Sequence, residues 1–224
     1  MERQWLARTG WLSGLLAGLA TTAPAVAHPH VWVEAHAEIV FDASARVAGI
    51  RHTWTFDPAY SAYATMGLDM DRDGNADPAK LADLAETNLA SLAEANYFTA
   101  VKVGGSPAAF ASSSDHQATV ANDRLVLRFL LPLKSPAKAE EMTIRIGDPT
   151  FFTAFTLPEA ADPTMLDGAP ESCRVSISHP AASGSEGVER LAQDIAAALR
   201  GQLDDPAPMS ADPDGQIVVV CRQD

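Results

Sequence analysis

The segment VWVEAHAEIVF, residues 31 to 41, alternates without a break, with Val31, Val33, Ala35, Ala37, Ile39 and Phe41 on one side and Trp32, Glu34, His36 and Glu38 on the other. Period two over such a run is the pattern of a strand with one buried and one wet face. A DASA turn follows, and a second run from Arg46 to Asp57 alternates Ala48, Ile50, His52, Trp54 and Phe56 against Val47, Gly49, Arg51, Thr53 and Thr55. Two such runs predict a hairpin whose apolar faces are buried together. That condition selects odd-sum pairing, with Val40 opposite Val47, His36 opposite Arg51 and His30 opposite Asp57. It also sets His52 between Ile50 and Trp54 as a hydrogen-bonded core histidine.

The residues ahead of the hairpin read as an export signal. Arg3 and Arg8 form a positive start, GWLSGLLAGLA a short apolar core, and Ala25-Val26-Ala27 a small-x-small cleavage site. Residues 1–27 are therefore expected to be removed, leaving His28 as the first mature residue and 28–224 as one domain, with a candidate sub-boundary near 158–172. No later stretch reaches the roughly 20 apolar residues of a spanning helix, so no stable membrane insertion is expected. A net charge of −13 offers no basic stripe for nucleic acid. Only two cysteines occur, Cys173 and Cys221, both in strand-like runs, and export to an oxidising compartment predicts that they form one disulfide.

Beyond the hairpin the pattern predicts a short helix or turn in AYSAYATMG, then an acidic loop, then a helix from about Pro78 to Ala95. Leu81, Leu84, Ala85, Leu89 and Leu92 would form its apolar stripe. Short strands follow in YFTAVKV, AAFAS, HQATVA, RLVLRFLLPL, EMTIRIG and FFTAFTL, and after a proline- and acid-rich loop in CRVSISH and QIVVVC, with a second amphipathic helix near Val188 to Leu199. Few helices among many short strands predict an α+β fold: a mainly antiparallel β-sheet domain with two amphipathic helices and an EF-hand-like loop.

Three of the six histidines fall in HPHVWVEAH. On a straight strand His30 and His36 would lie roughly 20 Å apart, too far to share an ion. His28 and His30 are two apart at a chain end, and the expected register adds Asp57 as a third ligand. Pro29 has no N–H to lose, which blocks the square-planar backbone chelate of copper or nickel that a third-position histidine often makes. The terminal amine and imidazole of His28, with His30 and Asp57, form a nitrogen-rich set suited to nickel, cobalt, zinc or copper. Its affinity would weaken as pH falls.

The loop DMDRDGNAD has the D-x-D-x-D-G opening of a calcium loop, with Asp69, Asp71 and Asp73 as carboxylate ligands, Asn75 offering its carbonyl and Asp77 at the ninth position. Lys80 stands where the twelfth-position glutamate would be. Asp77 before Pro78 reads equally as a helix N-cap.

The signal segment, HPHVWV, WTFDPAYSA, the D-x-D-x-DG loop and GDPTFFTAF together resemble an uncharacterised bacterial family, DUF 1007, described as periplasmic accessory components of a putative ABC-type transport system. The resemblance implies a periplasmic location, a link to nickel, cobalt and other transition-metal transport, and an inner-membrane metal transporter as partner. The family's motifs fall on His28, Pro29, His30, Phe56, Asp57, Asp148 and Pro149. Three functions follow as expectations: a metal-binding transport accessory protein; a copper oxidase with an amino-terminal histidine brace, completed by His52, His116 or His179; and a structural envelope module with a calcium-stabilised loop. No nucleophile elbow, P-loop or HExxH pattern is present to suggest a hydrolase.

Overall fold

A computed structural model describes residues 30–68, 76–113, 115–178 and 215–222. The two alternating runs form β1 (Val31–Phe41) and β2 (Val47–Phe56), paired antiparallel, with every odd-numbered residue of β1 buried. Asp42 shapes the turn between them. Its N–H donates to the Arg46 carbonyl at 2.8 Å, and its Oδ1 accepts from the N–H groups of Ser44 and Arg46 at 2.8 and 3.0 Å.

The parity of the hairpin is as expected, but its register lies two residues away. Trp54 faces Ala35, His52 faces Ala37, Arg51 faces Glu38, and His36 faces Thr53. The turn by itself aligns Phe41 with Val47, an even-sum pairing that would set apolar side chains against polar ones. A bulge at Ala48 inserts one residue before Val40 meets Gly49, which restores the match of faces.

After β2 come helix α1 (Pro58–Ala64) and helix α2 (Pro78–Glu94). Ala85 and Leu89 of α2 are buried, while Leu81, Leu84 and Leu92 are half-buried against the core, which is the stripe that the 3.6-residue period predicts. Strands β3 (Thr99–Val103), β4 (Ser106–Ala108), β5 (His116–Ala121), β6 (Arg124–Ala137), β7 (Met142–Ile146), β8 (Thr153–Thr156), β9 (Leu166–Asp167), β10 (Cys173–Ser178) and β11 (Gln216–Cys221) complete the described elements. The AAFAS run makes less strand than its composition suggests, since beyond β4 only Phe110 bridges, to Leu133. The helix expected near 188–199 lies outside the described residues.

Two sheets result. The first runs β5-β6-β2-β1-β8, with β9 also on β1, and the second β10-β11-β7-β3-β4. All pairings are antiparallel except on one side of β1, where β8 and β9 both run parallel to it. Trp54, Phe129, Leu127 and Ile50 from the first sheet and Ile144, Met142 and Ile217 from the second belong to one contiguous buried cluster. A mainly antiparallel α+β architecture is thus observed.

Between α2 and β3, three successive residues, Asn96, Tyr97 and Phe98, adopt left-handed backbone with φ of 49°, 54° and 47°. Non-glycine residues resist this region because Cβ crowds the following carbonyl. The turn persists because both rings are wedged into the core, Tyr97 against Phe129 and Phe98 against Phe155. Asn96 Nδ2 closes it by donating to the Thr99 carbonyl at 2.7 Å.

The disulfide joins Cys173 to Cys221, directly opposed residues of β10 and β11. It is the bridge expected from the cysteine count, and it is compatible with an extracytoplasmic location. Among the described residues no helix is long and apolar enough to cross a membrane.

Candidate functional site

His30 stands at the start of β1, exposed, its N–H donating to the Phe152 carbonyl at 2.8 Å and its ring 5.1 Å from the Phe152 ring. Trp32, two residues on and therefore on the same wet face, is half exposed. Phe152 is exposed beside it because β8 enters the sheet one residue later. His30 thus presents an imidazole at a sheet corner lined by aromatic rings.

Asp57 is not opposite His30. It faces Trp32, whose N–H donates to Asp57 Oδ2 at 3.0 Å. Its Oδ1 accepts from Ala59 and Tyr60 N–H at 2.9 and 3.0 Å, which makes it the N-cap of α1 with Pro58 at the first helical position. Burial acts to raise its pKa, but the hydrogen bonds from Trp32, Tyr60 and Ala59 outweigh it and hold the carboxyl below its ordinary value. A carboxylate offers about four lone-pair sites, so three N–H donors leave it one. The aspartate is anionic and close to the corner, but its first duty is to the backbone. The two-residue register slip accounts for the difference from expectation.

Two further contacts fix this end of the sheet. Ser61 of α1 donates to the Asp57 carbonyl at 2.6 Å and accepts from Leu125 N–H at 2.9 Å, tying the helix to β6. Arg124 donates to the Phe56 carbonyl at 2.6 Å and to Glu34 at 2.6 Å. Neither role was legible in the sequence, where isolated Ser and Arg carry no pattern.

Asp148 is buried, and its carboxylate accepts three hydrogen bonds. Oδ1 accepts from the Thr150 N–H and hydroxyl at 2.8 and 2.7 Å, and Oδ2 accepts from Thr153 N–H at 3.0 Å. With Pro149 it shapes the loop that delivers Phe152 to His30, so this motif supports the corner from behind. Phe56 is buried and stacks on Tyr60 at 4.8 Å.

The remaining histidines do not converge on His30. His36 lies on the wet face beside Thr53, and its charge acts on Asp162, whose carboxyl the Thr164 N–H chiefly holds low. His52 is fully buried on the opposite face of the sheet, stacked on Phe129 at 4.8 Å and edge-on to Trp54 at 5.7 Å. Thr99 Oγ1 donates its proton to the Tyr97 carbonyl at 2.8 Å, so at 3.5 Å it can only accept from His52 Nε2. The ring is then the Nε2–H tautomer, with Nδ1 bare among apolar groups, and burial pushes its pKa down to about 3. His116 pairs with Phe129 in the same register row and also points to the core side. His52 and His116 therefore cannot complete a histidine brace with the exposed end of β1.

His28, Pro29, His179, Asp69, Asp71, Asp73 and Asn75 lie outside the described residues. Asp77 lies within them and caps α2, accepting from Ala79 N–H at 2.8 Å. Among the described residues no three His, Cys, Asp or Glu side chains are grouped to hold a metal ion. A site at the corner would need a donor from His28 to add to His30.

The profile of a family described as "Protein of unknown function (DUF1007)" matches residues 14–214. Neither a curated protein nor a solved structure matches the chain.

Proposed function

The chain belongs to the DUF1007 family, and from that membership and the corner built around His30 we propose a periplasmic accessory protein that binds a transition-metal ion for an inner-membrane transporter. The observation that carries the reading is the exposed imidazole of His30, on the wet face at the start of β1 and without a hydrogen bond to its ring among the described residues. Export and cleavage after Ala27 would set the amine and imidazole of His28 two residues away. Those nitrogens suit nickel, cobalt, zinc or copper. The capped Asp57, with one lone-pair site to spare, adds negative charge to the corner. The Phe152 ring lies against His30, and Trp32 stands half exposed on the same face.

Protons compete with a metal ion for nitrogen donors, so binding at this corner would weaken as pH falls. The test is metal titration of mature protein with its native amino terminus, beside His30→Ala and a variant with one residue added ahead of His28. Stoichiometric binding, micromolar or tighter and weakened at least tenfold by each change, is expected. Binding that is absent, or that survives both changes, overturns the reading.

A further inference from the structure

The wet face of the first sheet carries a second feature, remote from His30 along the strands and independent of the metal reading. A half-open cavity of about 170 Å³ is lined by Arg51, Asp115, Gln117, Arg128, Phe129 and Leu130. Its frame is rigid, since Gln117 faces Arg128 across β5 and β6, and Leu130 N–H donates to the Asp115 carbonyl at 2.8 Å. Arg51 is already engaged, donating to Glu38 at 2.9 Å and to Asp167 at 3.0 Å. Arg128 and Asp115 differ from it. They line the same opening with opposite charge, yet among the described residues neither side chain makes an ion pair, with the other or with anything else.

An acid and a base facing one cavity without touching form a template for a ligand that carries both charges. The volume narrows the class. At about 30 Å³ per water it holds five or six water volumes, well short of the roughly 300 Å³ at which pockets for drug-sized ligands begin. Net charge narrows it further, because a chain of −13 repels a free anion, whereas a zwitterion feels no net repulsion. We propose that this cavity binds a small free α-amino acid, its carboxylate on the Arg128 guanidinium and its ammonium on the Asp115 carboxylate. Gln117, with one acceptor and two donors, serves either end, and Arg51 stiffens the wall.

The test is calorimetric titration of the mature protein with glycine, L-alanine and L-serine, in chelator so that no metal–amino acid complex contributes. N-acetylglycine, which lacks the ammonium, and methylamine, which lacks the carboxylate, are the controls. Saturable binding of at least one amino acid is expected, weakened at least tenfold by Arg128→Gln and by Asp115→Asn. Both residues are exposed, so circular dichroism should show both variants folded. No binding of any of the three overturns the proposal, as does N-acetylglycine or methylamine binding as well as glycine, or full affinity in either folded variant.

Discussion

Asp57 and Trp32 hold each other twice, the Asp57 N–H donating to the Trp32 carbonyl at 2.9 Å and the Trp32 N–H to Asp57 Oδ2 at 3.0 Å. One carboxylate thereby closes the open end of the hairpin and starts α1. Asp57→Ala removes an N-cap, worth about 0.5–2 kcal/mol, and leaves a strand N–H without its acceptor, worth about 1 kcal/mol more. A loss of about 2 kcal/mol in urea denaturation at neutral pH is expected. The carboxyl's pKa is held low in the folded state, so its contribution is present above about pH 4 and is lost as it protonates at lower pH. Asp57→Asn should therefore lie closer in stability to the parent at pH 3 than at pH 7.

His52 titrates in the opposite sense to a salt-bridged histidine. Its folded pKa, about 3, lies below the unfolded value of 6.5, so its neutral form favours folding at every pH above 6.5. Below that, the unfolded chain takes up a proton that the folded chain refuses. Stability should fall with a slope approaching about 1.4 kcal/mol per pH unit between pH 6 and pH 3. His52→Phe, which keeps a ring against Phe129, should flatten the profile in denaturation series across that range. An unchanged slope would mean that other groups govern the acid limb.

Gly49 faces Pro132 of β6, and a Cβ there would meet the Leu131 carbonyl oxygen at 2.9 Å. The obstacle is backbone, which cannot swing aside as a side chain would. Gly49→Ala is expected to cost about 1–3 kcal/mol and to lower the thermal midpoint. Gly67, with open space around the added Cβ but φ of 84°, makes a useful comparison for strain without crowding.

The Cys173–Cys221 bridge closes a separation of 48 residues. In the chain-entropy model such a loop is worth about 4 kcal/mol. Reduction under denaturant titration should shift the midpoint accordingly. A much smaller shift would indicate that residues between the cysteines are already restrained in the reduced chain.

Which face is buried could be read from the sequence for β1 and for β2 from Ile50 onward, because side-chain period depends only on backbone geometry, whereas before the bulge Val47 is buried on the side the alternation gave to polar residues. β1, β2, α2 and the β10–β11 disulfide follow directly from alternation, 3.6-residue spacing and cysteine count. Register could not be read, because the turn pairs Phe41 with Val47, one residue from the expected alignment, and the Ala48 bulge adds one more while Ala48 itself looks like an ordinary strand member. That slip moved Asp57 from His30 to Trp32, and with it the expected ligand set. The parallel partners of β1 were hidden for a different reason. Nothing local in FFTAFTL states whether it joins a hairpin neighbour or a strand far upstream, and only the Asp148 loop and the packing of Phe155 on Trp54 decide it. The left-handed turn at Asn96 to Phe98 also lacks a signal, since no glycine marks it.

The parallel pairing of β1 with β8 also sets an order of events. Val31 cannot meet Thr153 until roughly 120 further residues have been made, and loop closure over such a span is slow compared with the hairpin's microseconds. Until then the β1 edge is open, its N–H and C=O groups unpaired and Trp32 and His30 beside it. Folding of this chain should thus be a race between late closure by β8 and capture of that edge by another strand. The half-life of the open edge would govern how much protein is lost to aggregation during refolding at high concentration.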